Sequence, residues 1–344
     1  MTSRAYLRAV GVLLLGSVLP FVLYNLYQDD FGLFWSNGPK RVWTLEKTSK
    51  YLMSYRYIPK NFDGLLIGPS FSDGSMDTRK LSGYRIYNLS MDSGNATELR
   101  AAALNAIERG HMRVIIICLS NYITQDSGMK GPQINAKEYW GSLFSWLPID
   151  IFEAKLKIRS GKIPDAFPDS EWGTGNIIER RTAPWEMFTQ MQGMGSSVVH
   201  LNDTAFRHLK DIIYSAHAHN VRVIAYFFPS NFWRIKTYSR FGDWAEYKAR
   251  TNALFDPTKD VVWDMTSPDY QPCIADPGCY TDGHLSQAGA DWVMADVQRH
   301  LTALDSGAAV PPLFDGSVKY ACSGKPGAGS GYDRDQGLQD GTTR

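Results

Sequence analysis

Short apolar runs recur along the chain, each closed by a turn signal and most followed by a stretch with helical spacing. Gly64–Ile67 and residues 84–91, 112–119, 221–228 and 260–265 read as strands. MRVIIICL, at 112–119, is near-continuously apolar, as suits the centre of a parallel sheet. Between these runs, Ala96–Arg109 is rich in strong helix formers and stops at Gly110. Helices are also predicted over 203–220, with Asp203 as a possible cap, over about 242–255, and over 286–304. The last carries Ala290, Val293, Met294, Val297 and Leu301 on one face, with Ser286 able to cap it. Such strand–helix alternation predicts an α/β fold, with a five-stranded parallel sheet between helices in a three-layer sandwich. The pattern breaks over about 122–197, which is rich in Trp, Pro and Gly and holds one helical stretch near 137–158; it reads as an insertion after strand three. Residues 38–60 read as an amphipathic helical linker with Val42, Leu45, Tyr51 and Leu52 as its apolar positions. The main domain then covers 61–314, and the polar, Gly- and Ser-rich residues 315–344 read as a disordered tail.

The first 37 residues form a separate unit. Arg4 and Arg8 precede the uncharged run AVGVLLLGSVLPFVLYNLYQ, and roughly twenty such residues cross a bilayer as a helix. Tyr24, Tyr27 and Trp35 suit an interface, and arginines before the run with Asp29 and Asp30 after it place the amino terminus in the cytoplasm and the domain outside. The rivals are a cleaved signal peptide, for which no small-residue cleavage site follows the run, and a core helix, for which the run lacks an amphipathic stripe.

Composition adds little. A net charge of +1 without basic tracts argues against nucleic acid. Of the four cysteines, Cys118 lies in an apolar strand, Cys322 lies in the tail, and Cys273 and Cys279 flank a turn-rich loop that a disulfide could close. No metal-ligand spacing, phosphate-cradling glycine loop or nucleotide fingerprint is present, so neither a metal nor a cofactor is expected.

The candidate chemistry lies in two distant stretches. In GLLIGPSFSDG a strand ends in Gly68-Pro69-Ser70, a turn that can point a serine out of the carboxyl edge of the sheet. A turn or cap role for Ser70, Ser72 and Ser75 is the plain alternative, and Ser72 is the rival nucleophile. In YTDGHLSQAG, Asp282 and His284 stand two apart before the final helix. Acyl transfer needs a nucleophile, an imidazole that takes and returns its proton, and a carboxylate that orients the imidazole. Ser70, His284 and Asp282 supply these in that order. Ser230, Asn231 and Trp233 follow strand four at the same edge and are weaker candidates for lining a substrate site. His217 and His219, two apart on a helix, share no face and read as structural. Trp140, Trp146, Trp172 and Trp185 of the insertion offer either sugar-stacking faces or packing.

Four segments in order, FDGLLIGPSFSDG, YRIYNLSMDSGNATELRAAALNAIERG, RVIIICLSNY and YTDGHLSQAGADWV, resemble the conserved blocks of SGNH (GDSL-like) hydrolase-fold proteins. The resemblance covers about 61–304 and is nearest to the membrane-anchored cell-envelope branch that includes alginate-acetylation and teichoic-acid D-alanylation proteins. It implies a flavodoxin-like SGNH sandwich, Ser70, Asp282 and His284 as the catalytic triad, and an oxyanion hole from the Ser70 N–H, the Gly94 N–H and the Asn121 side chain. It further implies O-acetyl transfer to an exopolysaccharide or other glycan, or esterase action, and a membrane-bound acyltransferase partner at the inner membrane with the domain in the periplasm. Pro69 replaces the usual Asp of the first block, the third block keeps only its Asn, and the last reads Asp-x-His. A scaffold that has lost its site and a carbohydrate-binding module using the inserted tryptophans are the non-catalytic alternatives.

Overall fold

The computed structural model of the 344-residue chain describes residues 3–35, 38–124, 142, 146–168, 170–175, 201–231, 234–235, 239, 244–280 and 284–310. Its strands are β1 (Gly64–Ile67), β2 (Ile86–Asn88), β3 (Val114–Leu119), β4 (Arg222–Phe227) and β5 (Val261–Asp264). All pair in parallel in the order β2-β1-β3-β4-β5. The expected five-stranded parallel sheet is therefore present, with every strand but β1 shorter at its ends than its apolar run. The chain reverses its direction of winding between β1 and β3. In open α/β sheets the crevice at the carboxyl ends of such strands is where ligands bind.

Two cores follow from strand alternation. Leu65, Ile67, Ile115, Ile117, Val223, Ala225 and Phe227 face one side, and Leu66, Val114, Ile116, Cys118, Ile224 and Tyr226 face the other. Helices α1 (Ser3–Gln28), α2 (Glu46–Met53), α3 (Tyr57–Asn61), α4 (Ser70–Asp73), α5 (Ala96–Arg109) and α6 (Asn121–Thr124) come first in the chain. After them come α7 (Leu147–Arg159), α8 (Asp203–Ala218), α9 (Trp244–Asn252), α10 (Gln271–Ile274) and α11 (Gln287–Ser306). On the first face α5 buries Leu99, Ala102, Ala103, Ala106 and Ile107, the spacing of a helical stripe. Asn95 and Glu98 close its start as a reciprocal capping box. Asn202, one residue before the expected cap, caps α8. On the second face α11 buries the five apolar residues of its predicted stripe, and Ser286 Oγ accepts from Gly289 N at 3.1 Å.

Residues 38–60 are more than a linker. Tyr51, Leu52, Met53, Tyr57 and Ile58 belong to the first core, while Leu45 is exposed and begins α2 in a left-handed conformation. The expected single amphipathic helix is two short ones, broken by a turn at 54–56, and both pack against α5. The β3–β4 connection also returns to the domain. Val42 N donates to Ser170 Oγ at 2.9 Å, Thr174 Oγ1 donates to Met76 O, and Trp172 packs edge-on against Phe62. This stretch covers the outer edge of β2 and removes an exposed sheet edge. Trp172 is thus a packing residue; Trp140, Trp185 and the tail from 315 lie outside the described residues.

The amino-terminal helix α1 is long and apolar enough to cross a membrane and is almost wholly exposed in the chain. Its end is fixed to the domain. The buried Asp29 accepts from Leu33 N at 2.7 Å, from Trp35 N at 2.7 Å and from Phe34 N at 3.1 Å. Phe31 and Leu33 enter the first core.

Candidate active site

The β1 carboxyl end leads through Gly68-Pro69 into the single turn α4. Gly68 is required by close approach: a Cβ there would stand 2.2 Å from Ser72 Oγ and 2.7 Å from Cys118 Cβ. Gly68→Ala is expected to cost about 1–3 kcal/mol by overpacking, read as a lowered urea midpoint. Ser72 and Asp73 donate their N–H groups to Pro69 O. The Ser70 amide, at the start of the turn, has no intrahelical acceptor.

Ser70 and His284 meet. Ser70 Oγ lies 3.0 Å from His284 Nε2, across 214 positions of sequence. Both side chains are half-buried at the carboxyl edge of the sheet. Asp282, the third expected member, lies outside the described residues, as does Trp233. Ser72 is fully buried; its hydroxyl donates to Pro69 O at 3.2 Å and lies within hydrogen-bond distance of the Ser90 hydroxyl at 2.8 Å, so it braces the turn and is no rival nucleophile.

Phe71 frames the pair. Its ring stacks on Phe228 at 4.5 Å, meets Tyr122 at 5.4 Å and His284 at 5.3 Å, and lies 5.4 Å from the Arg234 guanidinium carbon. These contacts draw the ends of β1, β3 and β4 and the His284 loop around one hydroxyl. Nothing in the spacing of Phe71, Tyr122 and Phe228 marks them as site residues; only the register of the sheet brings them together.

The oxyanion candidates divide. Register places Ile67 opposite Ile117, so Ser70 and Asn121 follow adjacent strand ends. Asn121 is buried, and its Nδ2 has no hydrogen-bond partner among the described residues. A buried donor left over in this way calls for an acceptor that arrives later. The Gly94 amide is a correction to the expected donors: it already donates to Met91 O at 2.9 Å. Gly94 instead supplies room, since a Cβ there would stand 2.9 Å from Met91 O and 3.5 Å from Gly68 O. Its loop is tied to the Ser70 turn by Met91 N donating to Gly68 O at 3.0 Å.

Ser230 and Asn231 are both buried. Asn231 Oδ1 accepts from Arg234 N at 2.9 Å, and Ser230 N donates to Phe228 O at 2.7 Å, so they shape the turn after β4. The lining contribution from this turn comes from Arg234. His217 Nε2 and Asp260 Oδ1 are 2.7 Å apart, and His219 Nδ1 lies 2.8 Å from Ser215 O, both structural as expected.

Beneath the turn lies a cluster that sequence reasoning missed. Lys50 Nζ, fully buried, is 2.5 Å from Asp73 Oδ1 and 2.8 Å from Glu46 Oε1, and it also donates to Ser90 O. Burial, then the neighbouring Glu46 carboxylate, push Asp73 well above the usual carboxylate range. Burial opposes the Lys50 charge, but Asp73 and Glu46 outweigh it and hold the ammonium above its ordinary value. The cluster joins α2, α4 and the loop after β2.

The cysteines differ from expectation. Cys273 is a buried free thiol, so the Cys273–Cys279 disulfide does not form; Cys279 is disulfide-bonded, with a partner outside the described residues. The segment between them folds as two helical turns, 271–274 and 277–279, and Cys273 is committed to the second core. Cys118 is free and buried, its thiol pushed up to about 12 by burial. Among the described residues no group of His, Cys, Asp or Glu is arranged to hold a metal.

No protein-family model, curated protein or solved structure matches the chain.

Proposed function

We propose that the protein is a membrane-anchored serine acyl-transfer enzyme, with Ser70 as nucleophile and His284 as general base. The observation that carries this reading is the 3.0 Å approach of Ser70 Oγ to His284 Nε2 at the carboxyl edge of a parallel sheet. Ser70 Oγ attacks the acyl carbonyl carbon as its proton passes to Nε2. The tetrahedral oxyanion is met by the Ser70 N–H and Asn121 Nδ2, and the leaving oxygen departs with the proton from His284. An acceptor hydroxyl then gives its proton to His284, attacks acyl-Ser70 and releases the serine. Asp282, two residues before His284, holds the imidazole tautomer and stabilises its charged form.

A glycan hydroxyl as acceptor makes the enzyme an O-acyltransferase, and the order of sequence blocks favours O-acetyl transfer to an exopolysaccharide or other envelope glycan. Water as acceptor makes it an esterase with the same residues. The apolar helix α1 supports an anchor at the inner membrane with the domain on the periplasmic side, where a membrane-bound acyltransferase partner would supply the acyl group.

The full chain in detergent, given p-nitrophenyl acetate with and without polysaccharide, tests this. Acetate appearing on the polysaccharide establishes transfer, release to water alone establishes the esterase, and neither product removes the reading. Asn121→Ala is expected to lower kcat by about 10²–10³-fold with little change in KM, the usual loss for one oxyanion donor.

A further inference from the structure

Helix α7 carries apolar residues on two sides. Ile151 and Pro148 are buried against the domain. Phe152 and Leu156, four apart and therefore in one row, are 45% and 48% exposed, and Trp146 just before the helix is 70% exposed. A soluble surface gains nothing from such a row. Its placement is informative. The Trp146 ring packs on Phe21 of α1 at 5.5 Å, the Phe152 ring meets Tyr24 of α1 at 6.2 Å, and Lys155 pairs with Asp30 just past the end of α1. Helix α7 therefore climbs alongside the last turns of α1. Phe21 lies seven positions before Gln28, so Trp146 sits about 10 Å back along the apolar helix from its end, at 1.5 Å per residue.

The rest of α7 has the composition of a lipid headgroup region. Its far side carries Glu153 and Lys157, paired at 2.6 Å. Beyond them Arg159 and Lys162 are exposed, where phosphate groups would stand.

We propose that the exposed apolar row of α7 is a second membrane element: Trp146, Phe152 and Leu156 insert into the interfacial layer of the phospholipid bilayer beside α1. This rests on the reading of α1 as a membrane-spanning anchor. The bilayer is favoured as occupant because the row packs beside the apolar α1, because its aromatic residues suit the interface, and because Arg159 and Lys162 follow the row at the end of α7 that lies past the end of α1. The consequence is an oriented domain, held to the membrane at two points instead of swinging on one helix.

The test uses the full chain in nanodiscs of phosphatidylethanolamine and phosphatidylglycerol. Single replacements Trp146→Cys, Phe152→Cys, Lys162→Cys and Leu13→Cys are each nitroxide-labelled, with the unsubstituted chain as the labelling blank. Collision with oxygen, which concentrates in lipid, is compared with collision with a water-soluble nickel chelate. The expected result is oxygen above nickel at 146 and 152, more strongly so at 13 within α1, and nickel above oxygen at 162. Nickel above oxygen at 146 and 152 with a lipid signature at 13 overturns the inference and leaves the anchor standing. Shielding of 146 and 152 from both reagents overturns it in favour of a protein covering that face. A water signature at 13 overturns the anchor reading, and this inference with it.

Discussion

Ser70→Ala and His284→Ala each reduce acyl turnover by about 10⁴-fold or more, and the double variant is no worse than either alone. The size follows from the roles. Without the hydroxyl no acyl-enzyme forms. Without the imidazole the hydroxyl keeps its proton and the leaving oxygen gains none. Non-additivity follows because the two groups act as one unit: once either is absent, the other has no step to perform. Neither truncation opens a deep cavity, since both side chains are half-buried. The variants are therefore expected to unfold at the wild-type urea concentration, which separates loss of chemistry from loss of fold. Residual turnover at a few per cent in Ser70→Ala would mean that another group carries the acyl transfer. Turnover in His284→Ala close to wild type would mean that the 3.0 Å contact has no catalytic role.

Lys50→Met lowers stability by about 3–5 kcal/mol at neutral pH, the cost of stranding buried charge. The ammonium is fully buried, and its removal leaves Glu46 and Asp73, each 8% exposed at the side chain, facing one another without a cation. Methionine keeps the length of the stem, so packing changes little. The pH dependence has a definite sign. Without Lys50, burial raises the folded-state pKa of both carboxyls above their unfolded values. Protonated carboxyls below the unfolded range carry no penalty, and the penalty grows as pH rises through the raised folded values. The deficit against wild type is therefore largest at neutral pH and smaller near about pH 5. Urea unfolding of both proteins at the two pH values checks this. An equal deficit at both would assign the loss to packing instead of charge. Because Asp73 ends the Ser70 turn and Lys50 also holds Ser90 O, the variant is also expected to turn over acyl substrate more slowly at temperatures where it remains folded.

Ala96–Arg109 and Gly64–Ile67 were legible to the residue because each carries its own boundary signals: a helical stripe with Asn95 before it and Gly110 after it, and an apolar run ended by Gly-Pro. Ser70 was legible because an apolar run closed by Gly-Pro marks a strand end, and His284 because it stands in a loop just before the final helix. Lys50 was not. In the chain it stands four residues after Glu46, the spacing of an ordinary solvated surface pair. Only the packing of α2 onto the sheet turns that pair inward, toward Asp73. Phe71, Tyr122 and Phe228 were illegible for a related reason, since their meeting is set by the register of three strands and not by local pattern. Gly94 shows the converse: its block predicted an amide donor, but the turn it builds uses that amide internally. The helix α7 falls within the helical stretch expected near 137–158, but its exposed row was not legible, because exposure depends on what α1 and the domain leave uncovered.

The central claim is that Ser70 is a nucleophile. Its most direct test is peptide mass spectrometry of the full chain quenched during turnover of p-nitrophenyl acetate. An acetyl group on the Ser70 peptide, absent in Ser70→Ala and strongly reduced in His284→Ala, is the predicted result. An acetyl group on another residue with turnover intact, or turnover without any adduct and undiminished in Ser70→Ala, would contradict it.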